Sequence, residues 1–198
     1  MRIIAGSLRS RRLKAPEGVD TRPTLDRVKE SLFSILQHRV VSARVLDLYA
    51  GSGARSLEAL SRGADSAVLV DCAPRACQAI RENIEALGCG DKAKLLRMRD
   101  TAALSRLAEE QRQFDLIFLD PPYRMDAAPI CALIAEKGLL SGDGVIVVEH
   151  SRETPPAVRP PLALPDQRNY GVVGLSFYRW MGEEETDEEN ALPGAGQL

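Results

Sequence analysis

Val45-Leu46-Asp47-Leu48-Tyr49-Ala50-Gly51-Ser52-Gly53 is an apolar run ending in an acid, an aromatic ring and two glycines. The run reads as a buried strand, and the glycines as a tight loop into a helix that extends to about Arg62. Such a strand-loop-helix unit opens many open α/β sheets, and ligands bind where its strand ends. The backbone amides at the helix start can receive an anion, either a phosphate or a carboxylate. Ser56 stands where the dinucleotide fingerprint G-x-G-x-x-G needs its third glycine, which weakens a nicotinamide reading.

Downstream the unit repeats. Ala67–Asp71 reads as a second strand, with a helix from about Pro74 to Leu87. Lys94–Arg97 is a short third strand, followed by a helix over roughly Thr101–Gln111. Phe114–Leu119 is the fourth, Ile130, Leu133 and Ile134 mark a helix, and Val145–Glu149 is the fifth. Repeated βα units predict a parallel sheet with helices on both faces. Residues 152–168 are proline-rich and are expected to form a loop, and Gly171–Trp180 supplies the last strand. Upstream, Ile3, Ile4 and Leu13 are placed for short strands around a Gly6-Ser7 turn. Thr24 is the expected N-cap of a helix whose apolar face is Leu25, Val28, Leu32, Ile35 and Leu36.

Four strands end in or beside acids: Asp47, Asp71, Asp100 and Asp120. Asp71 suits two ribose hydroxyls, which one carboxylate can accept together, or it caps the Pro74 helix. Asp100 accepts from an adenine amino group or caps its own helix. Asp120-Pro121-Pro122-Tyr123 is a stiff turn presenting a carboxylate, backbone carbonyls and a flat ring. Those parts suit a planar ring that carries an amino group. His150 reads as a rim residue that fixes a loop, and His38 as surface.

The net charge of −2 hides an asymmetry. Glu183, Glu184, Glu185, Asp187, Glu188 and Glu189 cluster near the C-terminus, and setting them aside turns −2 into +4. The first forty residues hold nine basic against four acidic side chains, a balance of +5. This suits a nucleic-acid partner, and equally a solvated surface with a solubilising tail. Cys72, Cys77, Cys89 and Cys131 form no C-x-x-C pair, so free thiols are expected and no metal site. No apolar run approaches the ~18 residues of a membrane span, and a cytoplasmic protein is expected.

The motifs together resemble class I S-adenosylmethionine-dependent methyltransferases, and most closely the bacterial RsmD family. Met1–Gly6, Thr21-Arg22-Pro23-Thr24, Asp26-Arg27-Val28, Val45–Leu48, Ala50–Gly53, Leu57–Ala64, Phe114–Tyr123, Glu149-His150 and Leu175–Arg179 carry the resemblance, in order over about residues 1 to 180. It implies a Rossmann-like α/β fold with a mostly parallel seven-stranded sheet. The expected domains are a basic arm over 1–20 and a methyltransferase domain over 21–182, followed by a tail over 183–198 that lies beyond the resemblance and whose acidic composition reads as disordered. The implied activity is methylation of guanine N2 in 16S rRNA, with no metal. A monomer acting on small-subunit assembly intermediates is the expected state.

By that resemblance Asp47, Gly51 and Gly53 hold the methionine end of the cofactor, Asp71 the ribose and Asp100 the adenine. Asp120 and the Pro121 carbonyl accept from the target amino group, and Tyr123 stacks on the base. Arg22 and Thr24 border the base pocket, while Arg9, Arg11, Arg12 and Lys14 contact RNA phosphates. Tyr49 stands where Phe is usual, Asp71 where Glu is usual, and Arg55 where a small or apolar residue is usual. Arg55 is expected to face solvent. The rival readings are an N6-adenine methyltransferase of DNA or RNA, a nicotinamide oxidoreductase, and an inactive RNA-binding scaffold.

Overall fold

The structure, a computed structural model, describes residues 1–16, 23–122 and 124–182, with the backbone alone for 23–26. Arg22, Tyr123, the Thr24 side chain and the acidic tail therefore lie outside the described residues. The elements run α1 (Pro23–Ile35), β1 (Arg44–Leu48), α2 (Ala54–Ser61), β2 (Ser66–Asp71), α3 (Pro74–Leu87), β3 (Ala93–Arg97) and α4 (Asp100–Glu109). They continue with β4 (Phe114–Leu119), α5 (Ala128–Glu136), β5 (Leu140–Ser151), β6 (Leu162–Tyr170) and β7 (Val173–Trp180).

One seven-stranded sheet has the order β3-β2-β1-β4-β5-β7-β6. The first five strands pair in parallel, and β7 runs antiparallel to both β5 and β6. The chain builds outward from β1 to β3, then returns to place β4 on the other side of β1. That reversal is the switch point at which open α/β sheets bind ligands. Asp47 and Asp120 lie on either side of it.

Alternation along β1 explains the layers. Val45 joins the apolar cluster on one face, with Val28, Leu32, Phe33, Leu57 and Ile80. Leu46 and Leu48 join the other, with Leu104, Leu107, Ile130 and Ile134. Strands buried on both faces read as unbroken apolar runs, which is why β1, β2 and β4 were visible in the sequence.

Two expectations need correction. Residues 152–168 are not all loop, because β6 begins at Leu162. Pro165 is tolerated there because β6 is the outer strand and its register against β7 shifts between Ala163 and Asp166. The first helix begins at Pro23, so Thr24 lies within its first turn rather than capping it. Proline suits that first position because its missing N–H would have had no partner there.

The N-terminal segment is docked onto the domain. Ile3 N–H donates to Arg11 O at 2.9 Å, and Arg2 and Arg12 form an antiparallel bridge, a minimal hairpin around Gly6. Gly6 has φ 86°, and a Cβ there would stand 1.9 Å from Ser61 O. Only glycine allows the hairpin to sit this close to α2.

Among the described residues no helix is long and apolar enough to cross a membrane.

Candidate active site

The loop between β1 and α2 is tightly wound. Gly51 and Gly53 have φ of 59° and 76°, and a Cβ on Gly53 would meet Leu69 Cδ2 at 2.7 Å. Gly53 ends the loop as the N-cap of α2 without a side-chain cap. The first N–H groups of that helix therefore face outward toward any anion. Asp71 holds the loop in place. Its Oδ2 accepts from Gly51 N–H at 2.9 Å and its Oδ1 from Ala73 N–H at 2.8 Å. Asp71 thus braces the turn ahead of α3 without capping the helix, whose N-cap Ala73 has no side-chain cap, and each oxygen keeps a lone pair for a hydroxyl.

Two cavities meet at Tyr49. One, of about 460 Å³, is lined by Asp71, Cys72, Met98, Arg99, Asp100 and Ile130 among others. The second, of about 190 Å³, is lined by Gly51, Ser52, Ala54, Arg55, Asp120 and Glu149, with Met1 and Lys29 at its N-terminal side. Tyr49 lines both. Its φ is 62°, a strained value for a residue with a side chain. Its hydroxyl donates to Asp100 Oδ2, and Thr101 N–H donates to Asp100 Oδ1 at 2.7 Å. Burial and the Asp100 carboxylate push the Tyr49 phenol well above its ordinary range. Asp100 therefore lies on the rim as expected, and its partner here is Tyr49, the residue that stands where Phe is usual.

Asp47 departs from its expected place. It is completely buried beneath the loop and lines neither cavity. Its Oδ2 accepts from the Ser56 hydroxyl at 3.0 Å, and its Oδ1 has no partner. Burial pushes its carboxyl up to about 6, with Arg55 and Ser56 pulling the other way.

Asp120 follows β4 and is 34% exposed at the wall of the smaller cavity. Met125 N–H donates to the Pro122 carbonyl at 2.8 Å. Among the described residues the Pro121 carbonyl accepts nothing, so the turn keeps that carbonyl and one carboxylate oxygen, Asp120 Oδ1, for a ligand. Arg55 does not face solvent. It is 18% exposed, with Nη2 at 2.9 Å from Asp120 Oδ2 and in close contact with Glu149 Oε2. Glu149, 5% exposed at the end of β5, has its carboxyl pushed upward by burial, opposed by Arg55. No local pattern marks this cluster, because its members lie 65 and 94 positions from Arg55.

His150 is buried, with Nδ1 against Ser151 O at 2.7 Å and Nε2 against Ser176 Oγ at 2.8 Å. Both ring nitrogens are spent on structure, in line with a loop-fixing role. His38 is exposed. The four cysteines are free thiols, with Cys72 exposed. Among the described residues no group of three or more His, Cys, Asp or Glu is placed to hold a metal.

The basic arm divides in two. Lys14 Nζ pairs with Glu82 at 2.8 Å, and Arg11 donates to Ala86 O near the end of α3. Arg9 and Arg12 are exposed. Among the described residues only the side chains of the second pair extend from the arm without a hydrogen bond or ion pair.

Comparison with known proteins follows the same lines. The family model described as "Conserved hypothetical protein 95" matches residues 1–179. YlbH of Bacillus subtilis is 39% identical over 92% of this chain and 100% of its own. Ribosomal RNA small subunit methyltransferase D of Escherichia coli K12 is 34% identical over 96% of this chain and 94% of its own. Among solved structures, the Escherichia coli protein yhhF superposes with a TM-score of 0.78 at 34% identity, covering 92% of this chain and 99% of that one. The methyltransferase SMU.776 was solved with SAH; it is 15% identical with a TM-score of 0.64, covers 80% of this chain and 50% of that one, and speaks to fold alone. The sheet, its switch point and these matches place the chain in the RsmD family, with the class I methyltransferase fold.

Proposed function

We propose that the protein methylates the N2 amino group of a guanine in 16S rRNA, using S-adenosylmethionine. The observation that carries this is the Asp120-Pro121 turn, with a carboxylate oxygen and a carbonyl open, set beside a glycine loop and two cavities joined at Tyr49. Relatives named as small-subunit rRNA methyltransferases support the RNA substrate.

The cofactor fits the residues present. The outward N–H groups of α2 suit its carboxylate, and Asp71 retains lone pairs for ribose hydroxyls. Asp100 and Met98 line the space suited to adenine. Asp47 lines neither cavity, so its proposed part in holding the methionine end is to support the glycine loop from below, through Ser56. When bound, S-adenosylmethionine supplies a methyl group made electrophilic by the attached sulfonium.

The chain's own groups have two tasks. Guanine N2 is a weak nucleophile because its lone pair is delocalised into the ring. Asp120 and the Pro121 carbonyl accept its two N–H bonds, which orients the lone pair and favours the positive charge that develops on nitrogen. Tyr123 is proposed to stack on the base, and Arg22 and Thr24 to border it. Stacking of this kind is worth on the order of 1–3 kcal/mol. The base has to leave its helix, or lie in a loop, to reach the cavity. Arg9 and Arg12 are the arm residues proposed to meet phosphates. The substrate is proposed to be taken up within small-subunit assembly intermediates.

Mass spectrometry of small-subunit rRNA from a strain lacking this protein tests the reading. It should show one N2-methylguanine lost and regained on complementation. A lost N6-methyladenine instead would transfer the proposal to the adenine reading, which the turn by itself accommodates.

A further inference from the structure

We propose that Arg55 is a positioning residue for methyl transfer, holding the Asp120 carboxylate so that Oδ1 faces the incoming amino group. The proposal rests on the methyl-transfer reading above.

An aspartate at the end of a strand has a broad, roughly two-fold freedom at its carboxyl torsion. Here Arg55 Nη2 takes Oδ2 at 2.9 Å, which leaves Oδ1 as the oxygen for a ligand. The guanidinium is itself held by Glu149 on the neighbouring strand β5. One side chain thereby ties together the first turn of α2, the turn after β4 and the end of β5. The first of these carries the glycine loop proposed to seat the cofactor, and the second carries the acceptors for the amino group. Their relative placement sets the alignment of nitrogen, methyl carbon and sulfur.

The arrangement is costly unless it has a use. Arg55 and Glu149 are largely withdrawn from water, so each has lost most of its hydration. The charged groups that surround Arg55 are Asp47 from β1, Asp120 and Glu149. The second cation at this cavity, Lys29 from α1, is engaged elsewhere, with Arg2 O at 2.6 Å and Glu58 at 3.3 Å. Arg55 is thus the cation that meets the catalytic carboxylate.

The test is steady-state methyl transfer to small-subunit rRNA by wild type, Arg55→Leu and Arg55→Lys, with cofactor affinity measured by calorimetry and folding by thermal melting. Misplacement of a reacting group by about 1 Å can cost on the order of a hundredfold, so Arg55→Leu should lose roughly tenfold to a hundredfold in kcat. The KM for RNA and the cofactor Kd should stay within about threefold, since the loss falls on the chemical step. Arg55→Lys keeps the charge and one contact, and should recover about threefold or more over Leu.

The role is overturned by a wild-type kcat in Arg55→Leu, by a loss confined to KM or cofactor Kd, or by a Lys variant no better than Leu. Should Arg55→Leu not fold, Arg55→Lys against wild type decides: a reduced kcat at unchanged KM supports the role, and an unchanged kcat overturns it. Absence of transfer by the wild-type protein overturns the methyl-transfer reading and this role together.

Discussion

Glu58, within α2, and Asp47, bonded to α2 through Ser56, are both completely buried carboxylates, yet the structure treats them in opposite ways. Glu58 is saturated. Its Oε2 accepts from Ile4 N–H at 2.8 Å and faces Lys29 Nζ at 3.3 Å; its Oε1 accepts from Ala5 N–H at 3.0 Å and Arg62 Nε at 2.8 Å. Asp47 has one hydrogen bond, from Ser56, and an oxygen with no partner. Between Asp47, Asp120 and Glu149 there is one guanidinium for three carboxylates. The first region is closed and fixes the N-terminal arm to the domain. The second has acceptors to spare and is where a ligand bearing donors and positive charge gains most. Saturation separates scaffold from site here better than burial or residue type does.

Removal of the saturated group should show the largest effect on folding. Glu58→Ala removes the carboxylate that faces Lys29 and Arg62 and that accepts from two arm N–H groups. Breaking a buried pair in this way costs about 3–5 kcal/mol. Urea unfolding should show that loss, and limited proteolysis should cut within the first sixteen residues. A loss under about 1 kcal/mol would mean that the arm is held by other contacts, such as Ser61 and Asn83.

Asp47→Asn should act with the opposite sign. The buried acid carries a carboxyl pushed up to about 6 from an ordinary value of 3.8. The folded state thus holds a proton that the unfolded state releases across this window. The stability contribution of Asp47 is greatest below 3.8 and falls as pH rises to about 6. The variant lacks that decline, and at pH 8 it should be more stable than wild type by on the order of 1–3 kcal/mol. Its cofactor affinity should drop. A variant less stable than wild type at pH 8 would show that Asp47 is better satisfied than its contacts indicate.

The smallest effects belong to the arm. Arg9→Ala with Arg12→Ala should reduce the slope of log K against log salt for RNA binding by about 2 and leave the melting temperature unchanged. Arg11→Ala with Lys14→Ala removes contacts to α3 and should lower the melting temperature more than the salt slope. Equal slopes for the two pairs would erase the division drawn within the arm.

The architecture was legible wherever burial on both sheet faces demanded apolar runs. Phe114–Leu119 and Pro74–Leu87 fall where the pattern put them. The strand β6 was hidden by Pro165, which reads as a breaker until the strand is known to lie at the edge. The strand β5 starts five residues earlier than its apolar core, because Ser141-Gly142-Asp143-Gly144 interrupts the pattern and the register against β4 shifts between Phe114 and Leu116.

The site was half legible. Strand-end acids and the double proline stand out in the chain, so Asp71, Asp100 and Asp120 could be found by position alone. Arg55, Glu149 and the Tyr49–Asp100 contact could not, since each depends on side chains brought together across the sheet. Glu58 left one trace, a lone acid inside the short run Leu57-Glu58-Ala59-Leu60.

The most direct measurement is methyl transfer from S-adenosylmethionine to small-subunit rRNA by wild type and Asp120→Ala, with cofactor binding followed by calorimetry on the same preparations. The wild type should transfer. Asp120→Ala should lose on the order of a hundredfold or more in kcat while binding cofactor within about threefold of wild type. Equal turnover in the two proteins would contradict the placement of the reaction at this turn.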